Sequence, residues 1–209
     1  MRRALINPPS PPMPFGADAL PPDARDAVMA WQPAAVASFD ALLHEINPDA
    51  LRVDIPRLQA VAEWLAALPP ERARQLLADR LERIELIRAM LADPDWDTDA
   101  GTRARVGRLI AYMDRDDDLI PDGTPALGML DDALMLELAW PTLEAEVEQY
   151  RDFCEYRTRE HPGGDAQARR QAWFRDRLAE LEQLRHNARV SAGHYVDTRA
   201  SEDSPLRVV

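Results

Sequence analysis

The strongest constraint on this chain is the stretch Leu127–Trp140, LGMLDDALMLELAW, where apolar residues crowd both sides of a helical wheel. Leu127, Leu130, Leu134 and Leu138 make one row, and Met129, Ala133, Leu136 and Trp140 make another. A helix apolar on both sides must be covered all round, by protein or by lipid. Its 14 residues fall short of the roughly 20 that cross a bilayer, so protein has to cover it. Thr124-Pro125 suits the start, because Thr caps free amides and Pro lacks the donor that the first helical position would orphan. Pro141 stops it. The expected fold class is all-α, a compact multi-helix bundle around a buried central helix at about 125–140.

The remaining segments supply helices to pack on that core. Val36, Phe39, Leu43 and Ile46 recur at helical spacing before the break Asn47-Pro48-Asp49. Asp54-Ile55-Pro56 opens a second helix with Leu58, Val61, Leu65 and Leu68 inward. Pro69-Pro70-Glu71 launches a third, to about Leu91, with Leu77, Leu81, Ile84, Ile87 and Leu91 inward. Arg72, Arg80, Arg83 and Arg88 read as its solvated face, beside Glu82 and Glu85. A polar loop, Asp93 to Asp99, precedes a helix capped by Asp99 or Thr102, which runs to about Met113 with Val106, Leu109, Ile110 and Met113 buried. After Pro141, Leu143, Val147, Tyr150 and Cys154 stripe a helix to about Arg159. Following the break at His161-Pro162-Gly163-Gly164-Asp165, a last helix spans about 166–189 with Phe174, Leu178, Leu181 and Leu184 as its inner face. The domain plan is thus an extended Pro-rich N-terminal arm over 1–33, a helical domain over 34–189, and a C-terminal tail over 190–209. Trp31 is the anchor for the arm, which is read as lying over its own domain or serving as a linker.

The run around the central helix resembles a known family. Tyr112, Asp118-Leu119-Ile120-Pro121-Asp122, Pro125, Leu127-Gly128 and Leu130-Asp131-Asp132 are similar in order and type to the signature of the YkvA-like bacterial domain, and Leu91-Ala92-Asp93-Pro94 resembles an upstream element of it. The resemblance covers about residues 84–140. Asp116 and Asp117, and Gly123 and Thr124, are more polar than the family pattern at those places, which weakens any membrane-surface role for the turn. The resemblance implies a helical fold and a bacterial source. It implies no activity, since none is established for that family.

Charge and residue types narrow the function. All 25 basic residues are arginines, so chemistry that needs a lysine (Schiff bases, phosphate-loop nucleotide binding) is excluded. The net charge is −12, and residues 114–165 hold 15 acidic residues against four arginines. Such a surface repels nucleic acid and anionic lipid, so no nucleic-acid partner is expected. The single cysteine, Cys154, forms no internal disulfide, and the N-terminal residues lack the apolar run of a secretory signal; both fit a cytoplasmic protein without a transmembrane segment. His44, His161, His186 and His194 show no metal-ligand spacing, and G-x-S-x-G, Gly-rich phosphate loops and C-x-x-C are absent.

The acidic stretches are the one candidate site. Asp114, Asp116, Asp118 and Asp122 alternate like a calcium loop, but Leu119 stands where glycine is needed and Pro125 where glutamate is needed. The loop of Asp95, Asp97 and Asp99 fails the same comparison. A different grouping, Asp118, Asp122, Asp131 and Asp132, belongs to one turn-and-helix unit and is the candidate set for a divalent cation such as Mg²⁺ or Mn²⁺. The structural alternative has Asp118 and Asp122 hydrogen-bonded to the turn, with Asp131 or Asp132 paired to Arg108 or Arg115. No other cofactor is expected. The leading function is a non-enzymatic interaction or regulatory protein, with a protein partner or a second copy facing an acidic surface. The alternatives are a cation-binding protein or metal-dependent enzyme, and a peripheral membrane protein.

Overall fold

A computed structural model describes residues 12–15, 30–115, 119–121, 124 and 127–197, with 192–197 as backbone. Seven α-helices run through them and no strand occurs among the described residues: α1 (Pro33–Ile46), α2 (Ile55–Ala66), α3 (Pro70–Ala92), α4 (Ala100–Met113), α5 (Leu130–Ala139), α6 (Glu144–Glu160) and α7 (Ala166–Asp197). No helix among the described residues is long and apolar enough to cross a membrane. The chain divides into two compact units, Met1–Tyr150 and Arg151–Val209.

In the first unit, α5 is the buried centre and packs against α1, α3 and α4. Leu130, Ala133, Leu134, Met135, Leu136 and Ala139 are all fully buried, as a helix apolar on both sides requires. It is shorter than the apolar run. The Thr124 carbonyl accepts from the Gly128 amide at 2.9 Å and the Leu127 amide at 3.3 Å, so a tight turn occupies 127–129 and α5 starts at Leu130 instead of near Thr124-Pro125. Pro125 lies outside the described residues. At the other end Pro141 offers no amide, and the chain passes through a 3-10 turn, Trp140–Thr142, before α6.

Local signals set the other boundaries. Asp54 Oδ1 accepts from the Arg57 amide at 2.9 Å, and Asp99 Oδ1 accepts from the Gly101 and Thr102 amides at 2.8 and 3.0 Å. These aspartates satisfy donors that the first helical turn cannot satisfy itself. Proline stands in the first turn of α1, α2 and α3.

On α3, Leu76, Arg80 and Met90 are buried, while the predicted Leu81 and Leu91 are half-buried. Arg80 is not on a solvated face: it is 4% exposed, ion-paired through Nε with Glu137 of α5, while its Nη1 donates to the Leu76 carbonyl at 2.9 Å. Its position explains this. Leu77, Arg80, Ile84 and Ile87 are spaced three, four and three apart, so Arg80 belongs to the buried row whatever its charge. Arg83 also turns to α5's end, its guanidinium 4.6 Å from the Trp140 ring centroid. On α4, Thr102 and Tyr112 are buried in place of the predicted Ile110 and Met113.

Part of the N-terminal arm lies on the bundle. Met13 and Phe15 are buried, the Met13 amide donates to Glu137 Oε1 at 2.8 Å, and Arg57 stands over the Phe15 ring at 5.9 Å. Trp31 Nε1 donates to Gln59 Oε1 on α2 at 2.8 Å, the anchoring expected of it. The rest of the arm and the residues after Asp197 lie outside the described residues.

The second unit holds the end of α6 and all of α7. Phe153 is fully buried and meets Trp173 edge-on at 5.8 Å. Trp173 Nε1 donates to Asp152 Oδ2 at 2.6 Å, and Arg177 pairs with the other oxygen of Asp152. Between the helices Gly164 has φ +95°, and a Cβ there would sit 2.8 Å from that of Ala168, so glycine is required. Asp165 caps α7 through the Ala168 amide at 2.8 Å. Two expectations fail here. Cys154 is only half-buried, and the residue that α6 sinks is its neighbour Phe153. Phe174, Leu178, Leu181 and Leu184 are not an inner face: they are 58%, 57%, 52% and 51% exposed. α7 also runs on to Asp197, past the predicted end at 189.

Candidate functional site

The acidic turn and the start of α5 form a closed hydrogen-bonded joint. Asp131 sits in the first turn of α5 and is fully buried. Its Oδ2 accepts from the Tyr112 hydroxyl at 2.8 Å and from the Ile120 amide at 3.1 Å. Tyr112 comes from the last turn of α4, where its ring stands edge-on to Phe39 of α1 at 5.5 Å. One carboxylate therefore ties α4, the connecting turn and α5 together. The helix N-terminus favours negative charge there, and the two donors take the place of water at Oδ2.

This joint accounts for the side chains predicted to be ligands in the following way. Asp131 and Asp132 are adjacent on α5, Asp131 buried and Asp132 half-buried. Asp118 and Asp122 lie outside the described residues. Asp114 pairs with Arg88 of α3 at 2.5 Å, and that hydrogen bond raises the Arg88 pKa. Arg108, offered as a partner for Asp131 or Asp132, instead reaches Glu45 of α1 at 2.8 Å. The partner that sequence reasoning missed is Tyr112. Its signal was present: a tyrosine on the apolar side of α4 needs an acceptor for its hydroxyl. Among the described residues, no group of three or more His, Cys, Asp or Glu side chains is placed to hold a metal ion.

The other acidic stretch is a second joint. Asp93 Oδ2 accepts from the Tyr150 hydroxyl at 3.2 Å and its Oδ1 from the Asp95 amide at 2.9 Å. Trp96 lies edge-on to Tyr150 at 5.6 Å and donates to Glu146 at 3.3 Å. The Thr102 hydroxyl and then the Thr102 and Gly101 amides hold the Asp99 carboxyl below its ordinary pKa. Asp40 of α1, buried, accepts from the Val53 amide at 2.8 Å and Arg52 at 2.6 Å, and fixes the α1–α2 connection. Asn47 Nδ2 donates to the Leu138 carbonyl in the last turn of α5 at 2.7 Å.

Two surface features remain. A shallow concavity of about 370 Å³ lies along α6 at Arg151, Cys154, Glu155, Thr158 and Arg159. The Cys154 sulfur has an arginine nitrogen, Arg157 Nη2, 3.9 Å away. The larger feature is the apolar row on α7. Phe174, Leu178 and Leu181 are spaced four and three residues apart, which puts them on one side of the helix, with Leu184 flanking them.

The fold and its polar interior define an all-α protein in which the buried carboxylates are joints between helices. Comparison with known proteins finds no matching family model, no matching curated protein and no matching solved structure.

Proposed function

We propose that this chain is a non-enzymatic interaction or regulatory protein of the cytoplasm, and that the surface it offers to a protein partner is the apolar row of α7. The observation that carries this reading is the exposure of Phe174, Leu178, Leu181 and Leu184, each more than half open on one 32-residue helix. Large apolar side chains in a contiguous row are a binding surface more often than a solvent-facing one. The acidic segment 114–165 is the weaker choice. Asp114, Asp131, Glu137, Glu146 and Asp152 within it are engaged by Arg88, Tyr112, Arg80, Trp96 and Trp173. The YkvA-like resemblance belongs to the same proposal: three of its residues, Tyr112, Ile120 and Asp131, are one hydrogen-bonded joint, a reason for them to occur together that requires no catalysis.

The test places the photoreactive analogue benzoylphenylalanine at Phe174, with Gln183 on the far side of α7 as control, and irradiates the full chain in cell extract. Adducts with a protein, this chain included, are expected from position 174 and not from 183. Equal labelling from both positions, or none from 174, refutes the reading.

A further inference from the structure

The occupant of the α7 face follows from its length, its area and the order of its charges, and rests on the reading of that face as a binding surface. We propose that α7 pairs with α7 of a second copy of this chain, antiparallel, about a two-fold axis passing between Leu178 and Leu181.

Spacing comes first. Phe174, Leu178, Leu181, Arg185 and Ala188 recur at four, three, four and three residues, the alternation that lets one helix seat side chains between those of another. Area comes second. Phe174, Leu178, Leu181 and Leu184 leave on the order of 450 Å² of side-chain surface open per chain, or about 900 Å² for two copies. The stems of Arg175, Arg177 and Glu182 beside the row bring the total to the roughly 1,200 Å² at which specific stable interfaces begin. The helix is long enough to deliver it: with the axis at that point, about 28 residues of each α7 overlap, some 42 Å of contact.

Charge order selects the direction. In the antiparallel arrangement Leu178 of one copy faces Leu181 of the other, and Phe174 faces Arg185, a cation over a ring. Arg175 meets Glu182, and Leu184 is covered by the Arg177 stem. The two-fold axis makes each of these contacts twice. A parallel, in-register pair would bring Arg185 against Arg185 and Arg170 against Arg175. Its one favourable cross pair, Arg177 with Glu182, would draw on an arginine that Asp152 and Glu180 already hold. A membrane surface fits the face less well, because Asp176, Glu180 and Glu182 are interspersed with the arginines of the same helix.

The experiment has three arms, all on the full chain. Sedimentation equilibrium at micromolar concentration should give the mass of two chains. Leu178→Glu with Leu181→Glu should give one chain of unchanged helicity, whose melting temperature no longer rises with protein concentration as that of the native dimer does, because both side chains are exposed in the monomer. In a Cys154→Ser background, Phe174→Cys mixed with Arg185→Cys should form a disulfide-linked pair, while Phe174→Cys alone should not, its two copies lying about 16 Å apart along the axis. A wild-type monomer, a dimer that survives the double substitution, or rapid linkage of Phe174→Cys to itself overturns the proposal. So does binding of the monomer to anionic vesicles that the double substitution abolishes. If the purified chain is monomeric yet position 174 photolabels another protein, this pairing is refuted and α7 stands as a binding face. If position 174 labels nothing, both fall.

Discussion

Removing one oxygen atom tests the joint at the start of α5. Tyr112→Phe deletes the hydroxyl that donates to Asp131 at 2.8 Å and leaves the ring in place against Phe39. Tyr112 is 4% exposed and Asp131 is fully buried, so water does not take over the lost contact. A hydrogen bond to a charged group contributes about 1.5–3 kcal/mol. Asp131 keeps the Ile120 amide at 3.1 Å, so the loss should stay within that range. For a chain of this size 1 kcal/mol moves the melting temperature by about 2–4 °C, giving an expected fall of roughly 3–12 °C. Urea unfolding followed by circular dichroism measures the energy, and an unchanged m-value shows that the folded and unfolded states are otherwise the same. Asp131→Asn and the double variant complete a cycle, in which a coupling of at least about 1 kcal/mol is expected. A loss below about 0.5 kcal/mol, or full additivity, refutes the joint. The structural role also predicts no stabilisation by Mg²⁺, Mn²⁺, Ca²⁺ or Zn²⁺. A ligand at 100 times its dissociation constant would add about 2.7 kcal/mol, so a saturable rise lost in Asp118→Ala and Asp122→Ala would favour the cation reading.

Three further measurements bear on the fold. Asn47→Ala leaves the Leu138 carbonyl without its side-chain donor and should cost about 1–3 kcal/mol in urea unfolding. Phe153→Ala empties a fully buried site against Trp173 and should cost about 3–5 kcal/mol, read as faster amide exchange in the first turns of α7. Asp99, whose folded pKa lies below the ordinary 3.8, contributes stability that is present above that value and lost as pH falls through the folded one. The stability gap between the native chain and Asp99→Ala should therefore be constant near neutrality and narrow below about pH 4, by melts across pH.

Where sequence reading succeeded, the signal was local. Asp54 and Asp99 cap helices because capping needs only a side-chain oxygen and amides two or three residues on. The Leu130–Ala139 core was legible because its apolar residues leave no polar side to solvate. Where reading failed, the missing fact was tertiary. Arg80 occupies a core position in α3, and the ion pair that helps hold its charge there comes from Glu137 on α5. The tight turn at Thr124 moved the start of α5 because backbone hydrogen bonds within 124–128 compete with a proline-led first turn, and composition does not rank the two. The partner of Asp131 was missed for the same reason: Tyr112 lies 19 positions upstream in the chain, beyond the reach of any spacing rule.

The α7 row shows the same limit from the opposite side. Periodicity identifies which residues share a face; it does not say what covers that face. Phe174, Leu178, Leu181 and Leu184 satisfy the pattern of a core helix and are exposed, while Trp173 and Arg177 are the α7 residues that turn toward Asp152. The acidic residues also have roles inside the fold. Asp40, Asp54, Asp93, Asp99, Asp131 and Asp165 each accept hydrogen bonds within the fold, at caps and joints where a short carboxylate is the fitting group. Of these, Asp40 and Asp131 are buried and withhold their charge from the surface, while Asp54, Asp99 and Asp165 cap helices at exposed positions. The net charge of −12 thus includes carboxylates that no partner meets, and the apolar residue count does not reveal that four large side chains of α7 are exposed. On the reading proposed above, the exposed apolar row of α7, and not the acidic segment, is the face offered to a partner.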